Sequence, residues 1–150
     1  MKNIIFIIFL FFIYGCGYTS VYKNLKNQNF QISVIEMQGD REMNNLIKNE
    51  INLYSNKDSL NTFDLVVNTN YLKKVLVKDG AGKITDYELS TSSTFTIYFN
   101  EKVKKVNFTE TINISNQTDT FSQDMYERDI KRNFASSIRE KLISEIINIK

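Results

Sequence analysis

From Tyr87 to Phe99 the chain alternates without interruption. Tyr87, Leu89, Thr91, Ser93, Phe95, Ile97 and Phe99 share one face of an extended strand. Glu88, Ser90, Ser92, Thr94, Thr96 and Tyr98 share the other. Side chains on a strand point alternately to opposite faces, so a period of two means a strand buried on one side only. A chain holding such a strand needs a sheet around it and a second layer to cover its apolar face.

The other elements follow from the same rule. Phe30, Ile32 and Val34 alternate with polar residues as a first strand, which Gly39-Asp40 ends. Asp40 is placed to cap a helix by accepting a backbone N–H. Met43, Leu46, Ile47, Ile51 and Tyr54 then lie on one face of that helix. Phe63, Leu65, Val67, Thr69 and Tyr71 form a second alternating strand, carried on to Lys78 by the apolar Val75-Leu76-Val77 tract with its two β-branched valines. Asp79-Gly80-Ala81-Gly82 marks a turn. After the long third strand and a turn at Asn100-Glu101-Lys102, Val106, Phe108, Ile112 and Ile114 give a fourth strand, hairpinned to the third. Thr118 or Asp119 opens the last element. Tyr126, Ile130, Phe134, Ile138, Leu142, Ile146 and Ile149 recur at helical spacing, widened by Ala135 and Ile143, over about residues 121–148. The order is β-α-β-β-β-α. The expected fold is α+β, a two-layer sandwich with a mostly antiparallel four-stranded sheet and both helices on one face.

The start of the chain reads differently. Lys2 precedes an unbroken apolar run from Ile4 to Ile13. Ten residues are too few to span a bilayer, which takes roughly twenty, but they fit the apolar region of a secretory signal. The run stops at Tyr14-Gly15-Cys16-Gly17, and Cys16 is the sole cysteine of the chain. Ile13-Tyr14-Gly15-Cys16 resembles the bacterial lipobox, whose cysteine thiolate takes a diacylglyceryl group. The resemblance implies cleavage before Cys16, N-acylation of the new terminus and stable membrane anchoring by two or more chains; the alternatives are an ordinary signal peptide with an incidental Cys and an uncleaved membrane anchor. Gly17, where Asp would imply inner-membrane retention, implies sorting to the outer membrane, in the inner leaflet and facing the periplasm. Three segments result: a lipoprotein signal peptide over 1–15, a lipidated tether over 16–28, and one α+β domain over 29–150.

Composition removes several classes of activity. With no His, neither a Ser-His-Asp nor a Cys-His arrangement can form. One Cys without His cannot complete a tetrahedral zinc site of sulfur and nitrogen ligands. A formal charge of +2 gives no argument for nucleic acid. The carboxylates Asp64, Asp86, Glu88 and Glu110 lie outside any Gly-rich cradle, nucleophile elbow or metal-ligand spacing. No enzymatic activity is expected, and no cofactor beyond the lipid at Cys16.

Two features remain as binding candidates. Ser90, Ser92, Thr94 and Thr96 of the third strand join Asn107, Thr109, Thr111 and Asn113 of the fourth in a polar, almost uncharged face. Such a face suits another wet, polar wall, of which the lumen of an outer-membrane barrel is one. It is equally what good strand formers facing water produce. The second feature is basic: Lys73, Lys74, Lys78 and Lys83, with Lys102, Lys104 and Lys105 as another cluster. These are either anion-binding groups or guards against edge-to-edge pairing.

Cys16-Gly17-Tyr18-Thr19-Ser20-Val21-Tyr22 after the lipobox resembles the opening of the LPS-assembly lipoprotein family, the LptE type. Lys83-Ile84-Thr85-Asp86-Tyr87-Glu88-Leu89 leading to Thr94-Phe95-Thr96-Ile97 is similar to that family's central strand. Tyr126, Asp129, Ala135, Ile138, Leu142 and Ile146 are similar to its last helix. Ser20 stands where Pro is common, and Lys83 where Arg is often found. The resemblance implies a plug subunit inside a large outer-membrane barrel translocon, assisting its assembly and the insertion of lipopolysaccharide into the outer leaflet. It implies lipopolysaccharide as a ligand, with Lys73, Lys74, Lys78 and Lys83 as candidate contacts. The alternative is an accessory lipoprotein of another envelope lipid-transport system, a non-enzymatic binding module.

Overall fold

The computed structural model describes residues 30–57 and 59–149. The expected leader over 1–15, Cys16 and the expected tether over 16–28 lie outside the described residues. The observed elements are β1 (Gln31–Gly39), α1 (Arg41–Asn52), β2 (Thr62–Lys78), β3 (Ile84–Phe99), β4 (Lys102–Ser115) and α2 (Thr120–Ile149). The order β-α-β-β-β-α is the one expected from periodicity.

The four strands form one sheet in the order β1-β2-β3-β4. β1 runs parallel to β2, and the other pairs are antiparallel. The parallel pair follows from chain length: two parallel neighbours need a crossover, and α1 supplies it. Asp40 caps α1, accepting the Met43 N–H at 2.8 Å. Asp119 caps α2, accepting the Ser122 N–H at 2.9 Å. Both helices lie on the sheet face carrying Phe63, Leu65, Val67, Leu89, Phe95 and Ile97. The core closes over these with Met43, Ile47 and Ile51 from α1 and Ile138, Leu142 and Ile146 from α2. Fully burying each such side chain stabilises by roughly 1.5–3 kcal/mol.

Thr69, Thr91 and Ser93 are buried on this face too. Thr69 and Ser93 share a hydroxyl–hydroxyl bond of 3.1 Å, and the Thr91 hydroxyl donates to the Asn70 carbonyl at 3.1 Å. Buried hydroxyls are tolerated when bonded in this way. β1 leaves the sheet beside them. Gly39 has φ +87°, and a Cβ there would sit 1.9 Å from the Thr69 carbonyl oxygen. Only glycine permits both the left-handed backbone and the close approach. Asp40 N–H then donates to that same oxygen at 2.7 Å as the chain turns into α1.

Two local expectations need correction. Ile112 has the inward parity of β4 but is 40% exposed, because β4 is an edge strand. Tyr126 is 42% exposed, off the apolar stripe. Steps of four residues overshoot the helical turn of 3.6, so a strict four-step stripe drifts around the helix. At the N-terminal end of α2 the drift takes Tyr126 off the sheet, and Gln123 is the buried residue there. In β1 the register shifts between Val34 and Glu36, and Ile35 is left exposed at the irregularity.

Candidate functional site

The helices leave the opposite face of the sheet uncovered. The register places Asn68 beside Thr94, Asn70 beside Ser92, and Leu72 beside Ser90. Across the next pair, Ser90 faces Thr111, Ser92 faces Thr109, and Thr94 faces Asn107. The polar, uncharged face expected on β3 and β4 therefore extends across β2 through Asn68 and Asn70. Its side chains bond along the surface. The Ser92 hydroxyl donates to Asn107 Oδ1 at 3.1 Å, and the Thr109 hydroxyl donates to Ser92 at 3.5 Å. No charged residue occupies its centre; Glu88 and Lys74 stand opposite one another toward one end, and Asp64 lies at the other.

The basic candidates are split by the pleat. Lys73 lies on the helix side, where its ammonium pairs with Glu127 of α2 and sits 4.2 Å from the Tyr87 ring centroid. Lys74, the next residue, is on the uncovered side. Lys78 and Lys83 flank the tip of the β2–β3 hairpin, and the Lys83 N–H donates to Asp79 Oδ1 at 2.9 Å within the turn. The structure thus brings Lys78 and Lys83 together, while Lys73 belongs to an interlayer ion pair. Lys102, Lys104 and Lys105 sit at the opposite end of the sheet, and Lys104 pairs with Glu145 at 2.6 Å.

The carboxylates are dispersed as well. Glu110 is held from the helix layer by the Ser137 hydroxyl at 2.7 Å and Lys141 at 2.6 Å. Asp86 accepts from the Thr85 and Ser115 hydroxyls at 2.8 and 3.0 Å.

Periodicity missed one buried charge. Arg139 is 4% exposed in the helix layer. Its guanidinium lies 3.3 Å from Glu50 of α1 and 3.7 Å from Glu140, bonds to the Ser136 hydroxyl at 2.6 Å, and covers the Tyr54 ring at 4.4 Å. Its Nε has no partner among the described residues. Arg139 adjoins Ile138 in the stripe, so its position was readable, but a charge normally signals the solvent side.

A second cluster joins α1, α2 and β2. Glu42, Asp124, Glu127, Arg128 and Lys131 line a pocket of about 160 Å³. Lys131 sits 4.4 Å from the Tyr71 ring centroid. Burial foremost, then the charges of Glu127, Glu42 and Asp40, push the Tyr71 hydroxyl well above the ordinary tyrosine range. Among the described residues, no group of three or more His, Cys, Asp and Glu side chains could hold a metal ion. No described helix is long and apolar enough to cross a membrane.

No protein-family model matches the chain, and no curated protein matches it in sequence. Solved structures do share its fold. Rare lipoprotein B from Shewanella oneidensis superposes with a TM-score of 0.55 at 14% identity, over 79% of this chain and 98% of that one. A candidate lipoprotein from Caulobacter crescentus superposes with a TM-score of 0.53 at 13% identity, over 79% of this chain and 92% of that one. At such identities the likeness establishes a common fold: this chain has the two-layer α+β architecture also found in those lipoproteins.

Proposed function

We propose that the protein is a lipid-anchored outer-membrane lipoprotein that plugs a β-barrel translocon, helping it assemble and helping lipopolysaccharide reach the outer leaflet. The observation that carries the reading is the uncovered sheet face. A face left to bulk water normally carries interspersed Lys and Glu for solubility. Here its centre holds Asn68, Asn70, Ser90, Ser92, Thr94, Asn107, Thr109 and Thr111, which exchange hydrogen bonds with a polar wall as readily as with water. The lumen of an outer-membrane barrel is polar, whereas its lipid side is not.

Two further features support the reading. The lipobox-like sequence ending at Cys16 supplies an anchor, and the fold is shared with lipoproteins. The dimensions also suit a plug. β2 has 17 residues, about 55 Å at roughly 3.3 Å each, against the roughly 25 Å apolar band of such a barrel. A plug seated from the periplasmic side would carry Lys78 and Lys83 toward the outer leaflet, where lipopolysaccharide phosphates and carboxylates offer partners. Lys74 lies on the same hairpin. Lys73, already engaged by Glu127, contributes less.

Purification of the tagged full chain in mild detergent tests this. The expected result is recovery of a large β-barrel protein, with lipopolysaccharide in the complex that falls when Lys78 and Lys83 are both replaced by Glu. Recovery of a free monomer overturns the plug. Recovery with periplasmic or inner-membrane transport components instead establishes the alternative accessory role.

A further inference from the structure

The end of the domain where the chain enters exposes a group of apolar side chains. Phe30 leads into β1, and its carbonyl accepts the Asn56 N–H at 3.0 Å. Gln31 is in register with Thr62 at the start of β2, Asp64 with Tyr98 near the end of β3, and Phe99 with Lys102 at the start of β4. The rings of Phe30, Phe63 and Phe99 meet here, with centroids 5.8 and 4.2 Å apart in succession. Lys104–Glu145 brings the last turns of α2 to the same end. Four large apolar side chains are exposed around these rings: Leu53 at 71%, Leu60 at 101%, Val103 at 62% and Ile147 at 48%. None of them contributes to the core, and they come from four different segments.

The geometry points to this end as a surface that rests on a phospholipid bilayer when the lipoprotein is not seated in a partner. The inference depends on lipidation of Cys16 from the preceding section, but on neither the barrel nor lipopolysaccharide. The length of chain between Cys16 and the domain limits which end can reach the bilayer. Fourteen residue steps separate Cys16 from Phe30. A chain of that length reaches at most about 50 Å, whatever its conformation. The opposite end, at the β2–β3 hairpin and the start of α2, exposes Leu72, Val75, Leu76, Val77 and Phe121 and is at least as apolar, but it lies the length of β2 away. At about 55 Å that end lies beyond the reach of the connecting chain, whereas the Phe30 end is within it. Tethering also raises the local concentration of the surface to about the millimolar range, so a contact too weak to hold a free domain becomes populated.

The charges say which force carries the contact. Lys57, Lys102 and Lys105 are exposed at this end, but Asp64 and Glu101 offset two of the three. Insertion of the apolar side chains, not attraction to anionic headgroups, therefore holds the surface down, and the contact is insensitive to salt. In this posture the strands stand away from the bilayer with the polar sheet face open sideways.

The test uses the full chain, processed by its own cells and reconstituted in phosphatidylethanolamine–phosphatidylglycerol vesicles. Leu60→Cys, Val103→Cys and Ala81→Cys each introduce a single free thiol for a fluorophore, because acylation occupies Cys16, and a mass spectrum verifies that acylation. Nitroxide-labelled phospholipids should quench the probes at 60 and 103 about threefold or more strongly than the one at 81, at low and at high salt alike. Adding Val103→Asp to the Leu60→Cys chain should lower quenching at 60 by about half, with an unchanged thermal melt. Equal quenching at all three positions of an acylated chain overturns the inference and leaves the anchor standing. So does shielding of this end only when a barrel copurifies. An unmodified Cys16 overturns the anchor and the inference together.

Discussion

Replacing Glu50 should destabilise the protein more than replacing its partner Arg139, although both changes break the same ion pair. The asymmetry comes from burial. The Arg139 side chain is 5% exposed and that of Glu50 is 29% exposed. Removing one member of a buried pair typically costs about 3–5 kcal/mol, because the other charge is left without compensation. In Glu50→Ala the stranded charge is the buried guanidinium. Glu140 at 3.7 Å and the Tyr54 ring at 4.4 Å still offset part of it, which brings the expected loss to about 2–3 kcal/mol. In Arg139→Met the buried charge disappears, the apolar stem is retained, and Glu50 keeps its access to water. That change should cost about 0–1 kcal/mol. The double variant should match Arg139→Met rather than the sum of the two, since nothing buried is left to strand. The chain has eight Tyr and no Trp, so tyrosine fluorescence in a urea titration of the full chain in mild detergent reads all three. A larger loss for Arg139→Met than for Glu50→Ala would refute the desolvation argument and make the guanidinium a net source of stability.

Other consequences are as direct. Gly39→Ala should cost about 2–4 kcal/mol in the same titration, because a Cβ both collides with the Thr69 carbonyl and strains a left-handed backbone. Tyr71→Phe should be neutral or stabilising by up to about 1 kcal/mol, since the buried hydroxyl has no partner among the described residues. The Asp119 carboxyl is held below the usual carboxylate range, chiefly by Ser122. Its capping contribution is therefore present above the ordinary carboxylate pKa and fades as pH falls through the lowered one. Amide exchange in the first turn of α2 should accelerate in that acid window, and Asp119→Asn should remove the pH dependence.

The strands were legible because each is half-buried: Phe63 to Tyr71 and Leu89 to Ile97 print the pleat directly into the sequence. The same pleat separates Lys73 from Lys74. Adjacent strand residues face opposite layers, so grouping them by proximity in sequence overrode information already present. Asn68 and Asn70 could likewise have been added to the polar face from their parity on β2. The cap at Asp40 was readable from a short side chain placed before a helical stripe. Other features were not legible. Where β1 stops along β2 depends on the crossover through α1, which no local pattern encodes. The burial of Arg139 depends on Glu50 and Tyr54, distant in sequence. The exposure of Tyr126 follows from the accumulated drift of a four-step stripe along a helix of 30 residues.

The claim on which the account rests is that the bare sheet face meets a barrel wall. A photo-crosslinking residue at Ser92, at the centre of that face, compared with one at Asn133 on the exposed side of α2, tests it in intact cells. The account predicts that Ser92 joins a large outer-membrane β-barrel while Asn133 yields little of that adduct. No barrel adduct from Ser92, or equal adducts from both positions, would contradict it.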